Sequence, residues 1–102
     1  MNIKNFDFPS FNQWIRMERK FNLTLGEYYC SCDRFSWGKD SSTFIFAVSV
    51  DPVPSNIYSK TIFKRVFEYS HGDSIGLEKW YNNTIQEFKD FWVDYIIATY
   101  FE

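Results

Sequence analysis

Thr43-Phe44-Ile45-Phe46-Ala47-Val48-Ser49-Val50 is apolar on both faces and rich in β-branched residues. That is the profile of a strand with neighbours on either side, because only a central strand has both flanks and at least one face shielded from water. Upstream, Trp37-Gly38-Lys39-Asp40-Ser41-Ser42 is a cluster of turn residues. Before it, Asn22 to Phe35 alternates in strand fashion through Leu23, Leu25, Tyr28 and Cys30, with Gly26 expected as a bulge. The two runs predict a β-hairpin. Downstream, Pro52 and Pro54 force an irregular link. Tyr58 to Tyr69 then alternates again, with Phe63, Phe67 and Tyr69 on one face and Ile62 and Val66 on the other. A third strand is the expectation, although Lys60 to Glu68 could also wind as a helix.

Helices bracket the strands. Ser10 followed by Gln13 forms a capping box, and Phe11, Trp14, Ile15 and Glu18 recur at helical spacing, which predicts a first helix of two to three turns ending near Phe21. From about Ile75 to Tyr100 there is no Pro and no Gly after Gly76. Leu77, Trp80 or Tyr81, Thr84 or Ile85, Phe88, Phe91 or Trp92, and Tyr95 recur every three or four residues, an amphipathic helix. Its last turns, Phe91 to Ala98, are apolar nearly all round, so they are either deeply buried or part of an interface. The expectation is a single α+β domain over residues 1–102, in the order α-β-β-β-α. It is a three-stranded antiparallel meander with the long C-terminal helix packed on one face.

With 102 residues the chain can bury roughly two-thirds of its unfolded surface in one core. Aromatic residues make up 23% of it: 12 Phe, 7 Tyr and 4 Trp. Each ring can bury about 150–250 Å², so some rings are expected at the surface, where Trp and Tyr favour interfaces. The net charge of −2 argues against a nucleic-acid binder that works through a basic surface. Residues 1–65 hold nine Lys and Arg against six acids, and residues 66–102 hold two Lys against seven acids. The negative charge therefore belongs to the C-terminal third. Residues Met1 to Asp7 show no apolar stretch of signal-peptide length, and no run reaches a membrane span, so the cytoplasm is the expected location and no membrane partner is expected. Two reduced cysteines follow from that.

Catalytic chemistry has few residues to draw on. His71 is the only histidine, in His71-Gly72-Asp73-Ser74. Gly72-Asp73-Ser74-Ile75 superficially resembles the nucleophile block of GDSL-type hydrolases, but those need a much larger scaffold and a base near the C-terminus. The plainer role is a loop in which Asp73 or Ser74 caps the long helix. Cys30 and Cys32 fall on one face of a strand and with His71 could offer three zinc ligands; structural zinc ordinarily takes four, so no metal and no cofactor is expected. Basic faces at Arg16, Arg19 and Lys20, and at Lys60, Lys64 and Arg65, could serve a single-stranded nucleic acid, but a solvated surface accounts for them better and no nucleic-acid partner is expected.

Binding has more to offer. At 100° per residue, Asn83, Glu87, Asp90 and Asp94 fall within about 60° on the last helix, with Lys89 on a neighbouring line. Like charges at this spacing weaken a helix slightly, a cost that a basic partner surface would offset while speeding association. A second candidate patch is Trp37 with Asp33 and Asp40, an aromatic anchor flanked by acids. A homodimer through the apolar end of the last helix is also open.

The meander Thr43–Val50 and Thr61–Tyr69, followed by the helix opening Gly76-Leu77-Glu78-Lys79-Trp80-Tyr81, resembles the small cytoplasmic immunity proteins of bacterial polymorphic and contact-dependent toxin systems. The resemblance is one of general character over the whole chain and brings no site residues with it. It implies a non-enzymatic inhibitor that binds a basic cognate toxin, often a nuclease, stoichiometrically. A phage-encoded inhibitor of a host defence enzyme is the alternative within the binding class. A small metal- or single-stranded nucleic-acid-binding module is the alternative outside it.

Overall fold

The computed structural model describes residues 6–37, 41–50, 60–70 and 72–100. Four strands form one antiparallel sheet in chain order: β1 (Phe21–Leu25), β2 (Tyr28–Trp37), β3 (Ser41–Val50) and β4 (Lys60–Ser70). Two helices, α1 (Phe11–Arg16) and α2 (Ser74–Tyr100), cover one side of it. The α+β class, the meander and the covering long helix are as the hydrophobic pattern predicts.

The strand count differs, and Gly26 is the reason. Leu25 pairs directly with Tyr28, so Gly26 and Glu27 are a two-residue hairpin turn and not a bulge within one strand. Gly26 has φ +63°, and Glu27 is not in the left-handed region, the pattern of a type II′ turn. A bulge and this turn both call for a glycine at positive φ, so the residue alone does not separate them.

The first helix is also shorter than its periodicity predicts. Its capping box forms, with Gln13 N–H donating to Ser10 Oγ at 3.2 Å and Ser10 N–H to Gln13 Oε1 at 2.8 Å. It ends at Arg16, because Glu18 and Arg19 take left-handed backbone (φ 60° and 58°) and turn the chain into β1. Arg19 and Lys20 therefore lie outside the helix and make no basic helical face. At the other end of the fold Asp73 caps α2: its carboxylate accepts from Gly76 N–H at 3.0 Å. A Cβ at position 76 would collide with that carboxylate, so any larger residue there would have to displace the Asp73 cap.

β3 alternates as a two-sided strand should. Phe44, Phe46 and Val48 point to the helices and are fully buried, whereas Ile45, Ala47 and Ser49 line the opposite, helix-free face. On β4 the helix-facing residues are Phe63, Arg65, Phe67 and Tyr69, opposite Val48, Phe46, Phe44 and Ser42. A register shift between Phe63 and Thr61 makes Ile62 an extra residue. The helix alternative for this segment is excluded by its pairing.

Among the described residues, ten of the sixteen buried apolar side chains are aromatic, and Tyr29 and Phe35 are the only rings largely open to solvent. Among these residues the expected spill of rings onto the surface is therefore small, with others such as Trp80, Phe91 and Tyr95 partly buried against the core. The sheet's helix-facing side and α2 together take them, stacked in a continuous cluster. Trp14 lies at its head: it is completely buried, stacks on Tyr81 (centroids 4.6 Å apart, 16° between planes) and meets Phe44 edge-on. Its Nε1–H donates to the Cys32 carbonyl at 3.1 Å, and Tyr81 Oη donates to the Pro9 carbonyl at 2.7 Å. Phe88 continues the cluster between Phe46, Phe63 and Trp92.

Trp14→Phe keeps a ring but removes the buried hydrogen bond to the Cys32 carbonyl, and it should cost about 0.5–1.5 kcal/mol. Trp14→Ala adds a cavity and should cost about 3–5 kcal/mol, a large part of the roughly 5–15 kcal/mol that holds such a domain. Urea unfolding checks this: the Phe variant should lower the midpoint without changing the slope. An unchanged midpoint would contradict the structure.

Candidate functional site

α2 is a 27-residue helix, roughly 40 Å long at 1.5 Å per residue, in a molecule whose longest dimension is 46 Å. Its inner face is fixed by Leu77, Tyr81, Ile85, Phe88, Trp92 and Ile96, all buried. The opposite face carries Asn83, Glu87, Asp90 and Asp94, all exposed, on a single line. The spacing that suggested an acidic stripe thus corresponds to a real surface.

The stripe is not uniformly free. Glu87 accepts from Arg65 Nε at 2.9 Å, an ion pair with both side chains about half exposed. Asp90 accepts from Gln86 Nε2 at 3.1 Å. For Asp94 no hydrogen bond or ion pair is found among the described residues. The Glu87–Arg65 pair ties the helix to β4, and in that setting it contributes little to stability. Sequence separation of 22 residues hid it from any spacing argument. The same pair removes Arg65 from the expected basic face at Lys60, Lys64 and Arg65; Lys64 and Arg65 also point to opposite sides of the sheet.

Toward its C-terminal end the stripe becomes mixed. Val93 and Ile97 are 39% and 42% exposed beside Asp90 and Asp94, while Trp92 and Ile96 are buried. The apolar last turns therefore divide between core and surface. Beside the stripe a groove of about 670 Å³ runs between α2 and β4, lined by Thr61 to Arg65 and by Glu87, Asp90 and Phe91. Arg65 there lies over the Phe63 ring at 4.3 Å.

The second predicted patch has a different setting. Asp33 alternates with the buried Cys32, so its side chain lies on the helix-free face of the sheet, away from the α2 stripe. It is only half-exposed, and its Oδ1 is buried without a hydrogen-bond partner. Burial raises its carboxyl above the usual range, while the hydrogen bond from the Phe21 N–H and the charge of Lys20 pull it down. Asp33 thus reads as a residue that holds the start of β1 beside β2. Trp37 is the last residue of β2, opposite Ser42, and its side chain is outside the described structure, as is all of Asp40. The structure brings Asn83, Glu87, Asp90 and Asp94 together but does not join Asp33 to them.

Cys30 and Cys32 are free and buried, side by side on the helix-facing side of β2. Burial drives both thiols far above their ordinary pKa, which leaves them protonated and poor metal ligands or nucleophiles. No group of three metal-ligating side chains occurs among the described residues. His71 lies outside them, and its neighbour Asp73 is occupied as the α2 cap. No helix among the described residues is long and apolar enough to cross a membrane.

Compared with family models, with curated proteins and with solved structures, the chain matches none.

Because the folded-state carboxyl of Asp33 is raised, the folded chain holds that proton more tightly than the unfolded chain does. Stability from this group is highest at low pH and falls as pH rises above 3.8, the ordinary value, through the raised one. Asp33→Asn keeps the acceptor for Phe21 N–H and removes the buried charge. The stability of the Asn variant relative to the native chain should grow with pH across that acid window and then level off. A difference that is flat, or that shrinks with pH, would show that Asp33 is not desolvated.

Proposed function

We propose that this chain is a protein-binding module that acts by stoichiometric association, and that the outer line of α2 is where it meets its partner. The observation that carries the reading is the alternation of exposed acids and exposed apolar residues at Asp90, Val93, Asp94 and Ile97, on a helix whose other face is locked into the core. A rigid helix bearing apolar contacts flanked by charge suits helix-face recognition of another protein: the apolar pair supplies contact area, and the acids supply orientation and rate. Rigidity supports tight binding because little conformational freedom is lost on association.

The partner that fits is a protein with a basic surface. An immunity-type inhibitor, which neutralises a basic bacterial toxin in the cell that makes it, combines this size, this charge and this mode of action. Under that reading the toxin's own nucleic-acid or substrate surface provides the positive charge, and α2 covers it.

Asp90→Lys with Asp94→Lys should weaken partner binding by about ten- to a hundredfold, with the loss shrinking as salt is raised. Both residues are exposed, so the circular dichroism spectrum and unfolding midpoint should stay close to those of the native chain. Glu87 is left in place because its substitution would also break the tie to Arg65. The partner is captured on the tagged chain from the native host, and the affinity of the purified pair is measured at low and high salt. Equal affinity for the native and doubly substituted chains under both conditions would dismiss the α2 surface.

A further inference from the structure

β4 is a terminal strand of the sheet: β3 lies on one side and, among the described residues, no strand lies on the other. An edge strand presents unpaired N–H and C=O groups that another strand can meet. β4 is eleven residues long, and its regular register with β3 runs from Phe63 to Ser70, bounded at one end by the bulge at Ile62. The β1 edge, by contrast, has only five residues.

We propose that the β4 edge is a self-association surface, on which two copies of this chain pair antiparallel about Val66 and join their sheets into one of eight strands. The argument is one of register. Two identical strands related by a twofold axis pair residues at equal distances from a centre, so each candidate centre fixes every cross-strand neighbour. Centred on Val66, Lys64 stands opposite the partner's Glu68 and Glu68 opposite the partner's Lys64, on the helix-free face. On the other face, Phe63 meets the partner's Tyr69 and Arg65 meets the partner's Phe67. Opposite charges and aromatic pairs at these positions favour pairing. Val66, 48% exposed, stands against its own copy at the centre.

Neighbouring registers are poorer. A centre at Lys64, Arg65 or Glu68 sets that charge against its own copy, and a centre at Phe67 leaves Lys64 and Glu68 without opposite charges. Phe63 to Tyr69, the stretch this pairing uses, is also the regular part of the edge, and Val66 is its midpoint. The groove between β4 and α2 borders this edge at Phe63 and Arg65, while Phe67 and Tyr69 pack within their own chain against Trp80 and Phe44. Glu68 accepts from Thr43 Oγ1 at 3.0 Å through one oxygen, which leaves lone pairs for a lysine across the interface.

This association does not rest on the toxin-binding reading, and each can fail without the other. The test is sedimentation equilibrium of the full chain over a concentration series. The native chain should dimerise reversibly. Lys64→Glu and Glu68→Lys should each weaken dimerisation about ten- to a hundredfold by setting like charges opposite one another twice. Lys64→Glu combined with Glu68→Lys should restore it, a recovery that simple misfolding would not produce. Val66→Cys should cross-link to a disulfide dimer under mild oxidation, since opposite Cα atoms in such a pair lie about 4.5–5.5 Å apart. A native chain that stays monomeric throughout would overturn the proposal. So would a dimer that ignores both single reversals, or one in which Val66→Cys fails to cross-link; that dimer would use another surface, such as Val93 and Ile97.

Discussion

The stacked pair of Trp14 and Tyr81 is the contact on which the rest of the molecule depends. α1 has only six residues, too few to be stable as an isolated helix. It persists because Trp14 is driven into the core, where its ring lies flat on Tyr81 from α2 and its N–H reaches the Cys32 carbonyl of β2. Tyr81 closes the loop with its hydroxyl on Pro9, just before the α1 cap. One short segment is thereby bound at once to the sheet and to the long helix. Each polar atom carried into the core by these two rings has a partner, which avoids the usual cost of burying them.

From that junction the aromatic cluster extends along α2 through Phe88 and Trp92 to Tyr28 on β2 and Phe63 on β4. The high ring content thus serves mainly as cement between one sheet face and one helix. It leaves two surfaces with little structural duty: the outer line of α2 and the helix-free face of the sheet. The α2 line is acidic and apolar by turns. The sheet face is crossed by small and polar residues such as Ser31, Ala47 and Ser49, with Tyr29 beside them over a hollow of about 150 Å³. The first is held in place by the core contacts on the other side of the helix.

Much of this was legible from residue order. The unbroken apolar run of β3 identified a central strand, and the Ser10–Gln13 box marked the start of α1. The hundred-degree periodicity placed Asn83, Glu87, Asp90 and Asp94 on one line. What escaped was set by interactions between distant residues or by degenerate local signals. Gly26 fits a bulge and a hairpin turn equally, so β1 merged with β2. Glu18 and Arg19 adopt left-handed backbone with no glycine or asparagine to announce it, so α1 seemed longer. The pairing of Glu87 with Arg65 joins elements 22 residues apart and altered the stripe from four free groups to a partly neutralised one. Alternation with the buried Cys32 sets the Asp33 side chain on the face away from α2, and its patch with Trp37 and Asp40 lies partly outside the described residues.

If the ring cluster makes α2 and the sheet one cooperative unit, native-state hydrogen exchange is the direct measure of it. Amides from Leu77 to Trp92 and those of β3 should exchange with the same free energy, that of global unfolding, and should fall together in Trp14→Phe. An α2 that opens at a distinctly lower free energy than β3, or that is untouched when β3 weakens, would contradict the account. The outer face of α2 would then belong to a mobile helix and not to a fixed surface.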